Sequence, residues 1–395
     1  MVTYTLAMRL LYVTESMPNR DPVFGDGSSM IPFEFLRNLP EDVKVTLVTF
    51  SGPVGLPEEV RERCEAVHIL SPRNRKWAFF RSFFGLNGLG KQERYTGKAK
   101  EIASRLSAES DATLIHGPHA LPLAHHVHGP VVLQTVDPWS IRAGMDTAIA
   151  RRLRPAYRAR EHQALRAERR LPPRARLLTV GAQDAVEWSS RLGRKVRSIP
   201  NGAEVAVRSG TRGDSPVVCF VGSLNYGPNI DSAGVLINKV APLVWQQVPD
   251  ARFVIAGRRP ALSVLELSGP RVEVLANVPT VLDVFHAADV AVFPDEHGVG
   301  IRNSVREALA AGTPVVATPV AAREQEAHPL LTVEEDIGSL VERVVGYLAA
   351  PRTEHRGSGE AAVRSWEVVT QEYLDELRMA ISHDAHDPQR RSSPA

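Results

Sequence analysis

The strongest constraint on the fold of this chain is a repeated rhythm of short, continuous apolar runs. MRLLYVT, VKVTLVTF, ATLIHG, PVVLQTV, RLLTVG and KVRSIP follow one another with helical or loop segments between them. Runs without strict polar alternation suit strands covered on both faces, and helix-length connections favour parallel pairing. VVCFVGSL, ARFVIAG, RVEVLAN, DVAVFPD and PVVATP then repeat the rhythm. An α/β protein with two Rossmann-like, doubly wound parallel sheets is predicted. A length of 395 residues agrees, because it exceeds what one core usually supports. The seam falls in the Gly/Ser-rich stretch VRSGTRGDSP, residues 207–216. This gives domains at 1–206 and 217–360, a helix at 361–382 and a disordered tail at 383–395.

Charge and cysteine content exclude several functions. Lys+Arg 47 against Asp+Glu 45 leaves a net charge of +2, unlike a dedicated nucleic-acid binder. Cys64 and Cys219 form no disulfide framework, and Cys219 sits in the apolar run VVCFVG. No apolar run approaches a membrane span. A cytoplasmic protein is expected, with contact at the inner face of the membrane as one reading of residues 71–98. That segment interleaves Trp77, Phe79, Phe80, Phe83 and Phe84 with Arg73, Arg75, Lys76 and Arg81. It reads equally as an acceptor lid or as buried helices. The basic stretch from Arg151, offset by Glu161 and Glu168, reads as a solvated helix face.

Ligands of doubly wound sheets bind at the carboxyl ends of the strands, so the loops there carry the chemistry. Gly25 and Gly27 follow the first strand, and Gly222, Ser223, Asn225 and Tyr226 follow the first strand of the second series. None of these loops fits a dinucleotide fingerprint, a P-loop or a nucleophile elbow. In GVGIRNSVREALAAGTPVVAT, Gly298–Thr318, glycines lead into a helix whose start offers unpaired N–H groups to an anion. Arg302 would add a bidentate contact to phosphate, and Glu307 would accept from sugar hydroxyls. The same residues have a purely structural reading, in which Ser304 and Glu307 form a capping box.

FVGSLNYGPN, FVIAGRRP, HAADVAVFPD and GVGIRN..REALAAGTPVVAT, in that order, resemble the donor half of GT-B glycosyltransferases of family 4. The match is closest to a bacterial subgroup with G-S-x-x-Y-x-P-N and G-I-R-N-K patterns. Upstream, SIPNGAE ends the first domain as in such enzymes, and the helix around Trp366 resembles the segment that crosses back to the N-terminal domain. The resemblance implies a cleft between an acceptor-binding and a nucleotide-sugar-binding domain. It places Glu307 on the ribose, and the backbone from Gly300 through Ile301 with Arg302 and Asn303 on the diphosphate and donor sugar. Asn277 and Val278 would lie near the base. Gly25, Gly27, Gly222, Ser223, Asn225, Tyr226 and Arg258 complete the donor site. On the acceptor side the candidates are Asp137, where many relatives have a histidine, and His116 at the end of the preceding strand. Asp137 reads equally as a turn-forming Asp-Pro.

Three departures from the family pattern stand out. Val299 stands where the partner of the conserved glutamate belongs, and Glu296 is the nearest upstream carboxylate. Ser223 and Pro228 replace the loop's basic pair, and Ser304 replaces the subgroup's lysine. The histidines at 116, 119, 125, 126 and 128 lack a Cys or carboxylate at ligand spacing, and no metal is expected. The expectation is a retaining, cofactor-free glycosyltransferase that uses a nucleoside-diphosphate sugar, UDP-linked, as co-substrate. Its hydroxyl acceptor is a small molecule or a lipid-linked sugar, in specialised-metabolite or polysaccharide biosynthesis. The alternatives are a non-catalytic nucleotide-binding partner protein and an NDP-sugar epimerase.

Overall fold

The computed structural model describes residues 7–25, 27–72, 97–135, 140, 154–204, 215–298, 301–350 and 363–386. The chain forms two units: Met1–Arg20, Phe24–Pro200 and Trp366–Ala395 make one, Asp21–Val23 and Asn201–Ser365 the other.

The first unit runs β1 Met8–Thr14, α1 Gly27–Arg37, β2 Val43–Phe50, α2 Glu58–Glu62, β3 Cys64–Leu70, α3 Gly97–Ala108, β4 Ala112–His116, β5 Val131–Gln134, α4 Arg154–Arg169, β6 Arg176–Thr179, α5 Ala182–Leu192 and β7 Val196–Ser198. Its parallel sheet has the order β3-β2-β1-β4-β5-β6-β7. The apolar runs are explained by two cores, one on each face. Leu10, Tyr12, Leu47 and Leu114 point to one side, and Leu11, Val13, Val48 and Ile115 to the other. β3 is absent from the apolar runs because Glu65 and His68 interrupt CEAVHIL, a half-buried edge strand. Burial pushes the Cys64 thiol there up to about 11, against the pull of Arg61 and Arg63. Its thiolate should be about a hundredfold scarcer at pH 8 than that of an ordinary cysteine. Alkylation of Cys64 in the native protein should slow in proportion; a rate equal to that of a free thiol would contradict this.

The first core is completed by the last helix, which starts at Trp366 and continues to Ala385. This differs from the expected 361–382, because Ser365 bridges Ala203 and the Ala203 N–H donates to the Arg364 carbonyl at 2.9 Å. On the helix, the Tyr373 hydroxyl accepts from Gln134 Nε2 at 2.7 Å, and the buried Glu376 carboxylate accepts from Arg176 and Arg197.

The second unit runs β8 Val217–Ser223, α6 Gly227–Val235, a π turn Leu236–Val240, α7 Ala241–Gln247, β9 Arg252–Arg258, α8 Leu262–Leu265, β10 Val272–Ala276, α9 Leu282–Ala287, β11 Val290–Phe293, α10 Asn303–Ala310, β12 Val315–Ala317, β13 Leu331–Val333 and α11 Ile337–Ala349; the final helix, α12 Trp366–Ala385, returns to the first unit. Its parallel sheet has the order β10-β9-β8-β11-β12-β13. Pro242 has no N–H to give to the preceding turn, and the helix widens into the π turn just before it. Among the described residues no helix is long and apolar enough to cross a membrane.

Candidate functional site

In the second sheet the connections run outward in both directions from the neighbours β8 and β11, which makes this pair the switch point where doubly wound sheets bind ligands. β8 ends in Gly222 and Ser223 and leads to α6, whose N-cap is the half-exposed Tyr226, with Pro228 in the first turn. Gly222 pairs with Gly257 on β9, and a Cβ on Gly257 would lie 1.7 Å from the Gly222 carbonyl oxygen. Glycine at 257 is therefore required by close backbone approach. Asn229 Nδ2 donates to the Ser223 carbonyl at 3.0 Å, and Arg258 Nη2 donates to Ser223 Oγ at 3.2 Å. Asn225 is exposed on the same loop.

On the β11 side, α10 begins at Asn303 with Arg302 as its N-cap and no side-chain cap. The capping box expected from Ser304 and Glu307 is thus not formed, because Ser304 lies inside the first turn. The reason is tertiary. Arg302 Nη1 donates to Asp295 Oδ2 at 2.5 Å and to Asn229 Oδ1 at 3.0 Å, and its guanidinium lies over the Phe220 and Phe293 rings at 5.0 and 4.7 Å. The side chain is 11% exposed. Burial draws its ionisation below the ordinary arginine range, and Asp295 opposes this. Asp295 Oδ1 accepts from Ser232 at 2.7 Å, its carbonyl accepts from Thr318 at 2.7 Å, and Gln325 Nε2 donates to the Arg302 carbonyl at 3.0 Å.

Along α10, Asn303 Oδ1 accepts from Asn201 at 3.2 Å, and the buried Arg306 donates to the Asn201 carbonyl at 2.6 Å. Ile301 and Glu307 are half-buried at the same end of the sheet. Gly300 and Val299 lie outside the described residues. Glu296 is paired with Lys239 at 2.7 Å, with both side chains exposed.

At the ends of β9 and β10, Arg259 and Asn277 adopt left-handed backbone angles, φ 47° and 55°. The Arg259 N–H donates to Asn277 Oδ1 at 2.9 Å, and the Asn277 N–H donates to the Gly257 carbonyl at 2.8 Å. Strained non-glycine residues cluster at functional sites, and here two share one hydrogen bond. Val278 packs on the core of this unit.

In the first unit the switch lies between β1 and β4. His116 ends β4 and is fully buried, and Gly117 follows at φ 91°. A Cβ on Gly117 would lie 2.2 Å from Glu15 Cδ; the buried Glu15 carboxylate accepts the His119 N–H at 2.7 Å. Glu15, His116 and His119 therefore meet at one sheet end, a cluster the sequence analysis assigned only to His116. Asp137 lies outside the described residues, as do residues 73–96 of the aromatic segment. Glu168 does not lie on a solvated face. It is fully buried, and its two carboxylate oxygens accept the Ser140 N–H and hydroxyl, each at 2.8 Å. Gly25 is buried, whereas a Cβ on Gly27 would meet nothing within 4 Å. Among the described residues no His, Cys, Asp and Glu side chains group to hold a metal.

Asp295, Asn229, Glu15 and Arg306 were given no role from the sequence, although Asp295 and Asn229 close the quoted motifs HAADVAVFPD and FVGSLNYGPN. Asp295 had a visible signal, since it follows an apolar strand directly at its carboxyl end. The other three are brought in by contacts far apart in the chain.

Solved structures share this architecture. A structure of Anabaena Alr3699/HepE with UDP and glucose aligns at TM-score 0.63 and 14% identity, over 94% of this chain and 99% of that one. The UDP-forming α,α-trehalose-phosphate synthase of Burkholderia xenovorans, in complex with glucose-6-phosphate, gives 0.62 and 13%, over 94% and 100%. A mutant of S. aureus TarM in complex with fondaparinux, α-GlcNAc-glycerol and UDP gives 0.62 and 10%, over 94% and 99%. No curated protein matches the sequence. Residues 215–350 match the family model described as glycosyl transferases group 1, and the two parallel-sheet α/β units share the GT-B fold of these solved structures.

Proposed function

We propose that the protein is a retaining glycosyltransferase that moves a sugar from a nucleoside-diphosphate sugar, UDP-linked, to a hydroxyl acceptor. The observation that carries this reading is the convergence at the β8/β11 switch point. Two helix starts, at Gly227 and Asn303, lie at the same sheet end within the segment that matches the family model. Helix N-termini supply N–H donors and positive potential to a leaving diphosphate, so its departure needs no metal.

In this reading Glu307 holds the ribose, Asn277 and Val278 border the base, and the backbone from Gly300 to Asn303 faces the diphosphate together with the Gly222–Tyr226 loop. His116 and Asp137 orient the acceptor hydroxyl. The leaving diphosphate oxygen takes the acceptor proton on the same face, so no protein base is required. The reaction product enters specialised-metabolite or polysaccharide assembly on a small scaffold or a lipid carrier.

Release of nucleoside diphosphate from a panel of UDP-, GDP- and dTDP-sugars, with and without candidate acceptors, tests the activity. Acceptor-dependent release supports transfer. An epimer formed from donor alone would replace the reading with an epimerase, and nucleotide binding without turnover with a non-catalytic partner. Glu307→Gln removes a charge-assisted contact worth about 1.5–3 kcal/mol, so affinity for the cognate diphosphate should fall roughly 10- to 150-fold. Its ligand-free melting temperature is measured alongside, so that a loss of stability is not read as a lost ribose contact. Unchanged affinity by calorimetric titration would return Glu307 to a structural role.

A further inference from the structure

Glu15 follows β1 directly, and both its backbone and its side chain cross to β4, the neighbour that forms the switch point of the first sheet. Its N–H donates to the His116 carbonyl at 3.1 Å, one step beyond the pairing of Thr14 with His116. Its side chain folds over Gly117, and Oε2 accepts the His119 N–H at 2.7 Å. That path exists only over bare backbone. A Cβ on Gly117 would lie 2.2 Å from Glu15 Cδ, 2.3 Å from Cγ and 2.6 Å from Oε2. The same glycine takes the left-handed φ of 91° that starts the turn, so one residue supplies both the turn and the space. From the other side the Gly117 N–H donates to the Gln134 carbonyl on β5 at 3.2 Å, and the Gly117 carbonyl accepts the Ala120 N–H at 3.1 Å. Residues 116–120 are therefore held between β1 and β5. Glu15 is only 5% exposed, a depth at which ionisable side chains are rare, and it is bonded to the turn that begins at His116.

We propose that Glu15 is a positioning residue of the acceptor side: by reaching across Gly117 to the His119 N–H, it fixes the end of β4 and with it the imidazole of His116. This rests on the transfer reading above, in which His116 orients the acceptor hydroxyl. The clamp needs length and an accepting oxygen, and it makes no use of the carboxylate's charge.

Two variants of the full chain separate length from charge. Glu15→Gln keeps the reach and an oxygen for the His119 N–H, so its acceptor-dependent release of nucleoside diphosphate should stay within about threefold of wild type. Glu15→Asp keeps the charge but is one methylene too short to cross Gly117, and its kcat should fall roughly tenfold or more. Affinity for UDP, GDP and dTDP should stay within about twofold in both, because the substitutions lie far from the donor unit. Hydrogen exchange of a peptide covering residues 116–120 should speed up in Glu15→Asp and not in Glu15→Gln. Kinetics are compared at a temperature where melts show every variant folded. An active Glu15→Asp beside an inactive Glu15→Gln makes the charge the working part and overturns the proposal, as does an equal loss in both. Wild-type kcat in Glu15→Asp despite faster exchange leaves a clamp of structure alone and overturns the positioning role; wild-type exchange there removes the clamp itself. A wild-type protein that shows no acceptor-dependent release fails the transfer reading and takes the positioning role with it, while exchange still decides the clamp.

Discussion

Gly257→Ala is expected to unfold the second unit or to lower its melting temperature by roughly 10 °C or more. A Cβ there would stand 1.7 Å from the Gly222 carbonyl oxygen, 2.9 Å from its carbon and 3.0 Å from Leu224 Cγ. Two of the three obstacles are backbone of a central strand, so no rotamer change relieves them. β8 and β9 pair over Val217–Ser223 and Arg252–Arg258, and separating them at one register position disturbs the strand next to the switch point. Clashes of this kind fall in the tail of substitution effects, above about 4 kcal/mol, or about 8–16 °C for a unit of this size. Two companion variants calibrate the result. Gly222→Ala meets the end of the Asn229 side chain at 2.9 Å, which can move, so its cost should be smaller, although it disturbs a partner of Arg302. Gly227→Ala meets nothing within 4 Å and should melt within about 1 kcal/mol of wild type. Circular-dichroism melts of the three variants give the order; a Gly257→Ala protein as stable as Gly227→Ala would mean that the two strands do not approach as described.

Most of the fold could be read from the sequence because its strands are buried on both faces. Leu10 and Tyr12 serve one core while Leu11 and Val13 serve the other, so burial on both faces appears as an unbroken apolar run. β3 and β13 were not read; both are half-buried edge strands, but so are β7 and β10, which were read from KVRSIP and RVEVLAN, so an edge position alone does not hide a strand. The start of α10 was misplaced for a tertiary reason. Ser304 and Glu307 satisfy a local capping rule, yet Arg302 takes the N-cap because its side chain is fixed to Asp295, Asn229 and the aromatic pair. Tertiary contacts of a charged residue outweighed a local preference of about 1 kcal/mol.

The candidate site was legible to the extent that its residues follow strands. The loop after β8, the ends of β9 and β10 and the start of α10 all lie at the sheet end where the sequence placed candidates. What the sequence did not disclose is which charged groups are already engaged. Glu168 lies in a strongly basic helix and reads as solvent-facing, but it is buried against Ser140, and Arg191 Nη1 donates to the same hydroxyl at 2.8 Å. Arg302 read as a phosphate ligand because it lies beside a glycine loop. Its partners Phe220 and Asn229 open and close the motif FVGSLNYGPN, remote in the chain, and the motif by itself does not announce the pairing.

A chain ending at Ser365 is expected to lose the first unit while the second stays largely intact. Trp366, Val369, Tyr373, Leu374 and Leu377 are all at most 5% exposed, in one core with Leu10, Tyr12, Leu47 and Leu114. Burial of five such side chains is worth roughly 8–15 kcal/mol, taking about 1.5–3 kcal/mol each, as much as the whole stability of a typical domain. Truncation also leaves Gln134 without the Tyr373 hydroxyl, and Arg176 and Arg197 without the Glu376 carboxylate. The second unit has its own core of Val218, Phe220, Phe253, Val292 and Leu340. Limited proteolysis of the truncated chain should therefore degrade residues up to about 200 and leave a resistant fragment spanning β8 to α11. If that fragment also binds the cognate nucleoside diphosphate, the donor side folds and functions without the final helix. Soluble truncated protein with both units resistant to protease would show that the helix is an appendage to the first core rather than one of its walls.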